Sequence, residues 1–331
     1  MNTKGSSRWL MVFGFALALA GGSSGCRATP EPDLVSVQLK WVHQAQFAGF
    51  YLAEQEGFYA EENLAVNLLQ AQPEDNVVEV VASGKADFGV AAPELILLEK
   101  SDGAPVQAVA VIYRRNPFVF ISLRDSGIVR PQDFVGRRVA YGISAELQFP
   151  ALLANLGLIA DQVELVPFSY DYGSFYRGEV DVTYAYANGG LLRILQDGYD
   201  VNLIWPSDYG VHLYADTLFT QTRLVQEQPD LVTRFVRATL KGWRLAVEEP
   251  ERAVEATMEY ALEADPALQE AMMKASVPLI HTGTGPIGSM EQAVWQGMHD
   301  MMLDHGFLDR PLDLSRAYTM TFLQAIYEDA P

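Results

Sequence analysis

The chain of 331 residues carries 42 Asp and Glu against 23 Lys and Arg, a formal net charge of −19. A surface of that sign repels a phosphate backbone, which excludes nucleic acid as a partner. The single cysteine excludes an internal disulfide, and beyond residue 26 no apolar run approaches the roughly 20 residues of a membrane helix.

At the N-terminus, Lys4 and Arg8 precede an uncharged apolar run from Trp9 to Ala20, followed by the small residues Gly21 to Gly25 and then Cys26. This is the layout of a secretory signal, too short to stay in a bilayer and without the polar face of a buried first helix. Cys26 after Ser-Ser-Gly resembles a bacterial lipobox, although Ser23 stands where such motifs carry an aliphatic residue. The expectation is a signal over 1–25, an acylated Cys26 and a polar tether over 26–34. The alternative is cleavage after Ala18 or Ala20, with Cys26 left as a free thiol.

From residue 35 short apolar runs alternate with helical stretches. Strands are predicted at 35–41, 65–70, 86–92 and 106–113, and helices at 47–64, 76–85 and 93–103. The first helix should stop at Gly57, and Pro93 suits a helix N1 position. A second unit repeats the order, with strands at 136–142, 163–168 and 182–187 and helices at 145–157, 175–180 and 190–198. The segments 118–124 and 212–221 read as extended strands that bracket this unit, and from about residue 222 the chain is amphipathic helix. The expected fold is therefore α/β with mostly parallel sheets. It has two lobes: residues 35–120 with 216–331 form lobe 1, 121–215 form lobe 2, and two crossing strands form a hinge. Ligands of open α/β sheets bind beyond the carboxyl ends of strands, here in the cleft between the lobes.

The blocks at 39–66 (LKWVHQAQFAGFYLAEQEGFYAEENLAV), 82–94, 103–117, 178–186, 240–254 and 285–288 resemble, in order, the solute-binding proteins that deliver thiamine-pyrimidine precursors. That family includes relatives serving riboflavin uptake. The resemblance implies a type II periplasmic-binding-protein fold, an ABC permease and ATPase as partners, a vitamin-like ligand and no chemistry on it. With no cofactor or metal expected, the chain reads as a monomer bound to the membrane through its lipid.

Candidate ligand-binding residues lie at strand ends. Trp41 ends the first strand, where it either stacks on a flat ring or packs in the core. The resemblance places His43, Gln46 and Phe47 near the ligand, although a lone histidine is as readily structural. Pro93 and Glu94 open a helix; Glu94 either accepts from the ligand or merely favours the helix N-terminus. Tyr113 ends another strand. In lobe 2, Tyr141 and Ser144 flank a strand-to-helix junction, with Ser144 either an N-cap or a contact. Tyr170, Tyr172, Phe175, Tyr176, Tyr184, Tyr186, Trp205 and Tyr209 make that lobe densely aromatic, and Asn188 follows the strand that bears Tyr186. Precursor-binding relatives often carry Tyr-Asn-Glu in this region. Here Tyr186-Ala187-Asn188 runs into Gly189-Gly190 without the acid, which favours a larger, uncharged ring such as an isoalloxazine.

Gly283-Thr284-Gly285-Pro286-Ile287-Gly288 matches a dinucleotide-binding pattern, but helical flanks and Pro286 make it a helix–helix turn. His299 and His305 read as exposed positions of an amphipathic helix. There is no nucleophile elbow, and the only cysteine is Cys26.

Overall fold

The computed structural model describes Met1 and residues 31–72, 75–142 and 145–328. Cys26 and Ser144 lie outside the described residues, as does nearly all of the expected signal. The secondary structure described below belongs to the unit Pro32–Pro331.

Among the described residues ten strands form two five-stranded sheets. In chain order they are β1 (Asp33–Gln38), β2 (Leu64–Leu69), β3 (Phe88–Ala91), β4 (Val106–Val111), β5 (Phe118–Leu123), β6 (Arg138–Tyr141), β7 (Glu164–Pro167), β8 (Val182–Tyr186), β9 (Val201–Ile204) and β10 (Thr217–Gln221). The first sheet runs β2-β1-β3-β10-β4 and the second β7-β6-β8-β5-β9. Within each sheet the locally connected strands pair in parallel, while one strand arrives from the other lobe and pairs antiparallel with both neighbours. That strand is β10 in the first sheet and β5 in the second. The two-lobed α/β architecture expected from the alternation is the one observed.

The connecting helices begin where local chemistry allows. Asn76 caps the helix Val77–Ala82, its Oδ1 accepting from the amides of Val78 at 3.0 Å and Glu79 at 3.3 Å. Pro93 opens the helix Pro93–Ser101. Gly57, at φ 73°, ends the helix Ala48–Gln55 in the left-handed region as anticipated. β4 is buried along its whole length, as a strand covered by helices on both faces should be.

Three expectations change. The segments 118–124 and 212–221 hold β5 and β10 as expected, but β5 lies wholly in the second sheet, so the passage between lobes comes ahead of residue 120. β9 was not anticipated, because it is short and carries a polar residue facing inward. Asn202 is buried and spends its amide on Leu123 O at 3.1 Å and Ile128 O at 3.2 Å. His299 is buried rather than exposed; its Nε2 accepts from the Leu312 amide at 2.9 Å and its Nδ1 lies 3.0 Å from Asp300. His305 is partly exposed.

The amphipathic stretch 222–260 divides into the helices Thr222–Glu227, Pro229–Glu248 and Pro250–Tyr260. Each break precedes a proline, whose ring bars the residue before it from helical geometry; Gln228 and Glu249 sit at φ −133° and −129°. The acidic Glu248, Glu249, Glu251, Glu255 and Glu259 are exposed, as a solvated face requires. The opposite face packs on Ala48–Gln55 so closely that a Cβ at Gly242 would lie 2.2 Å from Gly49 O.

Candidate ligand-binding site

The carboxyl end of β1 leads directly into Lys40. Its Nζ lies 2.5 Å from Asp216 Oδ1, the Lys40 side chain being 16% exposed and that of Asp216 2%. Asp216 immediately precedes β10, so the return crossover delivers the carboxylate to the end of β1. Its Oδ2 accepts from Gln46 Nε2 at 2.8 Å. Burial pulls the Lys40 ammonium down, but the Asp216 carboxylate, helped by Tyr186 and Glu94, more than offsets this and holds the lysine charged.

The second lobe meets this pair from above. Tyr186, ending β8, places its ring centroid 5.0 Å from Lys40 Nζ, within cation–π range. Burial raises the Tyr186 hydroxyl above its ordinary value, against the pull of Lys40. Glu94, in the first turn after β3, has one buried carboxyl oxygen, Oε2, without a hydrogen-bond partner. Burial pushes this carboxyl up, while its own backbone N–H, Lys40 and the Gln148 amide of the second lobe pull it down. Lys40, Glu94 and Asp216 from one lobe and Tyr186 and Gln148 from the other thus form one enclosed polar group.

A second layer fixes these residues. The Tyr113 hydroxyl lies 3.1 Å from Gln46 O and 3.0 Å from Ser276 Oγ, and Asn188 Nδ2 donates to the same Ser276 Oγ at 2.9 Å. Asn188 Oδ1 is buried without a partner. Asn188 belongs to the second lobe, whereas Ser276 stands on the helix Pro266–Ile280 of the first, so this contact also spans the cleft.

The rim is aromatic. Trp41 is 44% exposed, which rules out the core reading, and its ring lies 5.8 Å from Tyr170 of the opposite lobe. From Tyr170 the rings continue inward through Phe168 (4.8 Å), Tyr184 (4.1 Å further) and Phe118 (5.1 Å beyond). Gly142 permits this packing, since a Cβ there would lie 2.8 Å from the Tyr184 hydroxyl.

Of the expected residues, Trp41, Gln46, Glu94, Tyr186 and Asn188 therefore converge. Pro93 is buried as the first residue of its helix, and Tyr113 and Phe47 are wholly buried supports rather than covers. The Gln46 amide is fully engaged, donating to Asp216 and accepting from Gln44 at 2.7 Å. Tyr141, ending β6, is partly buried with its ring 5.9 Å from Phe149. Two residues lie elsewhere. His43 packs within the first lobe, 3.0 Å from the Tyr51 hydroxyl and 5.4 Å from the Tyr260 ring. Tyr209 neighbours Arg130, Asp133 and Asn155, the last at the end of its helix remote from β6. Sequence reasoning missed Lys40, Asp216, Gln148 and Ser276. Only Lys40 carried a signal, as a charged residue at a strand end beside Trp41.

Residues 44–253 match the family described as NMT1/THI5 like. The chain belongs to that family. NMT1/THI5-like relatives differ in what their names attribute to them. The riboflavin-binding protein RibY of Chloroflexus aurantiacus is 26% identical over 89% of this chain and 88% of its own. The formylaminopyrimidine-binding protein of Halalkalibacterium halodurans is 27% identical over 87% and 90%. A protein of Legionella pneumophila named 4-amino-5-hydroxymethyl-2-methylpyrimidine phosphate synthase is 26% identical over 87% and 92%. The periplasmic aliphatic sulphonate binding protein SsuA of Escherichia coli shares the fold, with a TM-score of 0.70 at 13% identity over 88% and 93% of the two chains. The two-lobed periplasmic-binding-protein fold is thus the fold of this NMT1/THI5-like chain.

Proposed function

We propose that this chain is the solute-binding component of an ABC importer, capturing a flavin of the riboflavin type between its lobes and performing no chemistry on it. The observation that carries the reading is a pair of buried, unpartnered acceptors, Glu94 Oε2 and Asn188 Oδ1, beside a charge-compensated Lys40–Asp216 pair. A planar ring whose edge bears an N–H donor satisfies such acceptors without bringing a charge of its own. The exposed Trp41 and Tyr170 rings suit a broad aromatic face. A ligand that touches both lobes binds their apposed state better than a separated one, which makes lobe closure the step a permease can read.

A second reading has its own support. The raised Glu94 carboxyl also suits the amino group and ring nitrogen of an aminopyrimidine, so the acid missing after Asn188 has a substitute from the other lobe. Titrating the purified chain with riboflavin, followed by flavin fluorescence, and with formylaminopyrimidine, followed by calorimetry, decides between them. Quenching at micromolar protein supports the flavin; absence of quenching with pyrimidine binding reverses the order. Recovery of the ligand unchanged after prolonged incubation supports a binding protein over an enzyme. Export and anchoring through Cys26 belong to the same proposal. Cys26→Ala should release the protein from membranes or block its processing, and a parent chain found wholly soluble with its N-terminus at Gly21 or earlier would defeat the anchor.

A further inference from the structure

We infer that the site has a second compartment for an oxygen-rich tail on the ligand, a cavity of about 210 Å³ beside the two crossovers. The inference rests on the proposed function and extends it. Arg114 and Arg115 of the first crossover, Ser207 and His212 of the second, and Gln148 line this cavity. Sites for whole ligands of ring-and-tail size run to roughly 300–1,000 Å³. One water needs only about 10–15 Å³ of such space. The cavity is therefore too small for the entire ligand and far larger than a structural water requires, which suits part of a ligand.

Gln148 joins it to the ring site, because the same side chain lines the cavity and lies near enough to the Glu94 carboxyl to pull it down. Phe118, Val211, Leu213 and Val294 make most of the lining apolar, so its few polar groups decide where a ligand's polar atoms can go. Arg114 is a built residue, its side chain 5% exposed. Nη2 holds Glu291 at 2.6 Å and Nη1 donates to Thr282 at 3.1 Å, yet Nε is buried without a partner. Ser207 Oγ is buried without a partner as well. Asn116 does not compete for a ligand, since its amide already serves Tyr214 O at 2.8 Å and the Phe118 amide at 3.0 Å. Arg115, its guanidinium 4.7 Å from the Trp205 ring centroid, adds positive charge. Arg115 is exposed, so the buried donors are Arg114 Nε and Ser207 Oγ; they call for oxygen acceptors, as on a polyol chain or a phosphate, and disfavour an amine.

The test uses the full chain and two ligand pairs that differ only in the tail: riboflavin with lumiflavin, and hydroxymethylpyrimidine phosphate with hydroxymethylpyrimidine. Ser207→Leu fills the cavity, and Ser207→Ala, a milder change should the leucine variant fail to fold, removes the hydroxyl alone. The parent should bind the tailed member of a pair at least about tenfold more tightly, the worth of one hydrogen bond to a charged group. Ser207→Leu should erase that preference while leaving the tail-less member within about twofold of its parent affinity, and Ser207→Ala should narrow the preference. Equal binding of both members by the parent, or equal weakening of both by Ser207→Leu, overturns the compartment and leaves the ring reading standing. A tail preference in the pyrimidine pair alone, erased in the same way, supports the compartment and overturns the flavin. Failure of the parent to bind any of the four overturns both.

Discussion

Asp216→Asn isolates the interaction on which the site depends. The asparagine keeps the shape of the side chain and can still accept from Gln46, but it leaves the Lys40 ammonium enclosed without its partner at 2.5 Å. Removing one member of a buried ion pair destabilises by about 3–5 kcal/mol, mostly through the charge left behind. Lys40 retains 16% of its exposure and has Glu94 nearby, so the bottom of that range, about 3 kcal/mol, applies. A folded unit of about 300 residues has an unfolding entropy near 0.6 kcal/mol/K, so Tm should fall by about 5 °C. Adding Lys40→Met removes the stranded charge and should recover most of the loss, a coupling that a double-mutant cycle measures. Scanning calorimetry on the parent, both single variants and the double variant provides the values. An Asp216→Asn protein melting within about 1 °C of the parent would refute the reasoning, because that is the behaviour of a solvated surface pair.

Trp41→Ala and Tyr186→Ala should each weaken ligand binding by about 1–3 kcal/mol, roughly 5- to 150-fold, without unfolding the chain; large melting drops with near-parent affinity would misplace the site. Burial raises the Glu94 carboxyl, so the folded chain keeps a proton that the unfolded chain releases near its ordinary pKa of 4.5. That contribution to stability is complete below the ordinary value and is lost as pH rises through the raised one, so Glu94→Gln should flatten the parent's fall in Tm over this window. Gly242→Ala should destabilise by about 1–3 kcal/mol through overpacking against Gly49, measured by denaturant titration with unchanged m. Ser276→Ala, which removes the hydroxyl that receives Asn188 from across the cleft, should weaken ligand affinity more than it lowers Tm, separable by titration and melting.

The architecture was largely legible because apolar runs, prolines and glycines act locally. Pro93 starts a helix and Gly57 stops one, whereas the breaks ahead of Pro229 and Pro250 interrupt what reads as one continuous helical stretch. β9 escaped because Asn202 interrupts the apolar signal and is satisfied by groups distant in sequence, the Leu123 and Ile128 carbonyls and the Arg124 guanidinium. The candidate site was legible to the extent that strand ends announce a cleft, where Trp41, Glu94 and Tyr186 are found together. Asp216 carries no local mark; it becomes a site residue only because the return crossover sets it beside Lys40. His43 and Tyr209 stand apart from that cluster for the converse reason, since chemistry suited to a ligand is equally suited to a pair of tyrosines or a helix end.

The strand exchange between lobes has a consequence for the order of folding. β3 and β4 are separated in the first sheet by β10, which does not exist until the chain has been made through Gln221. Until then the edges of β3 and β4 that β10 will pair with lack their hydrogen-bonding partner, and their union waits on closure of a loop that contains the whole second lobe. A chain built this way cannot complete its first domain while it is still emerging.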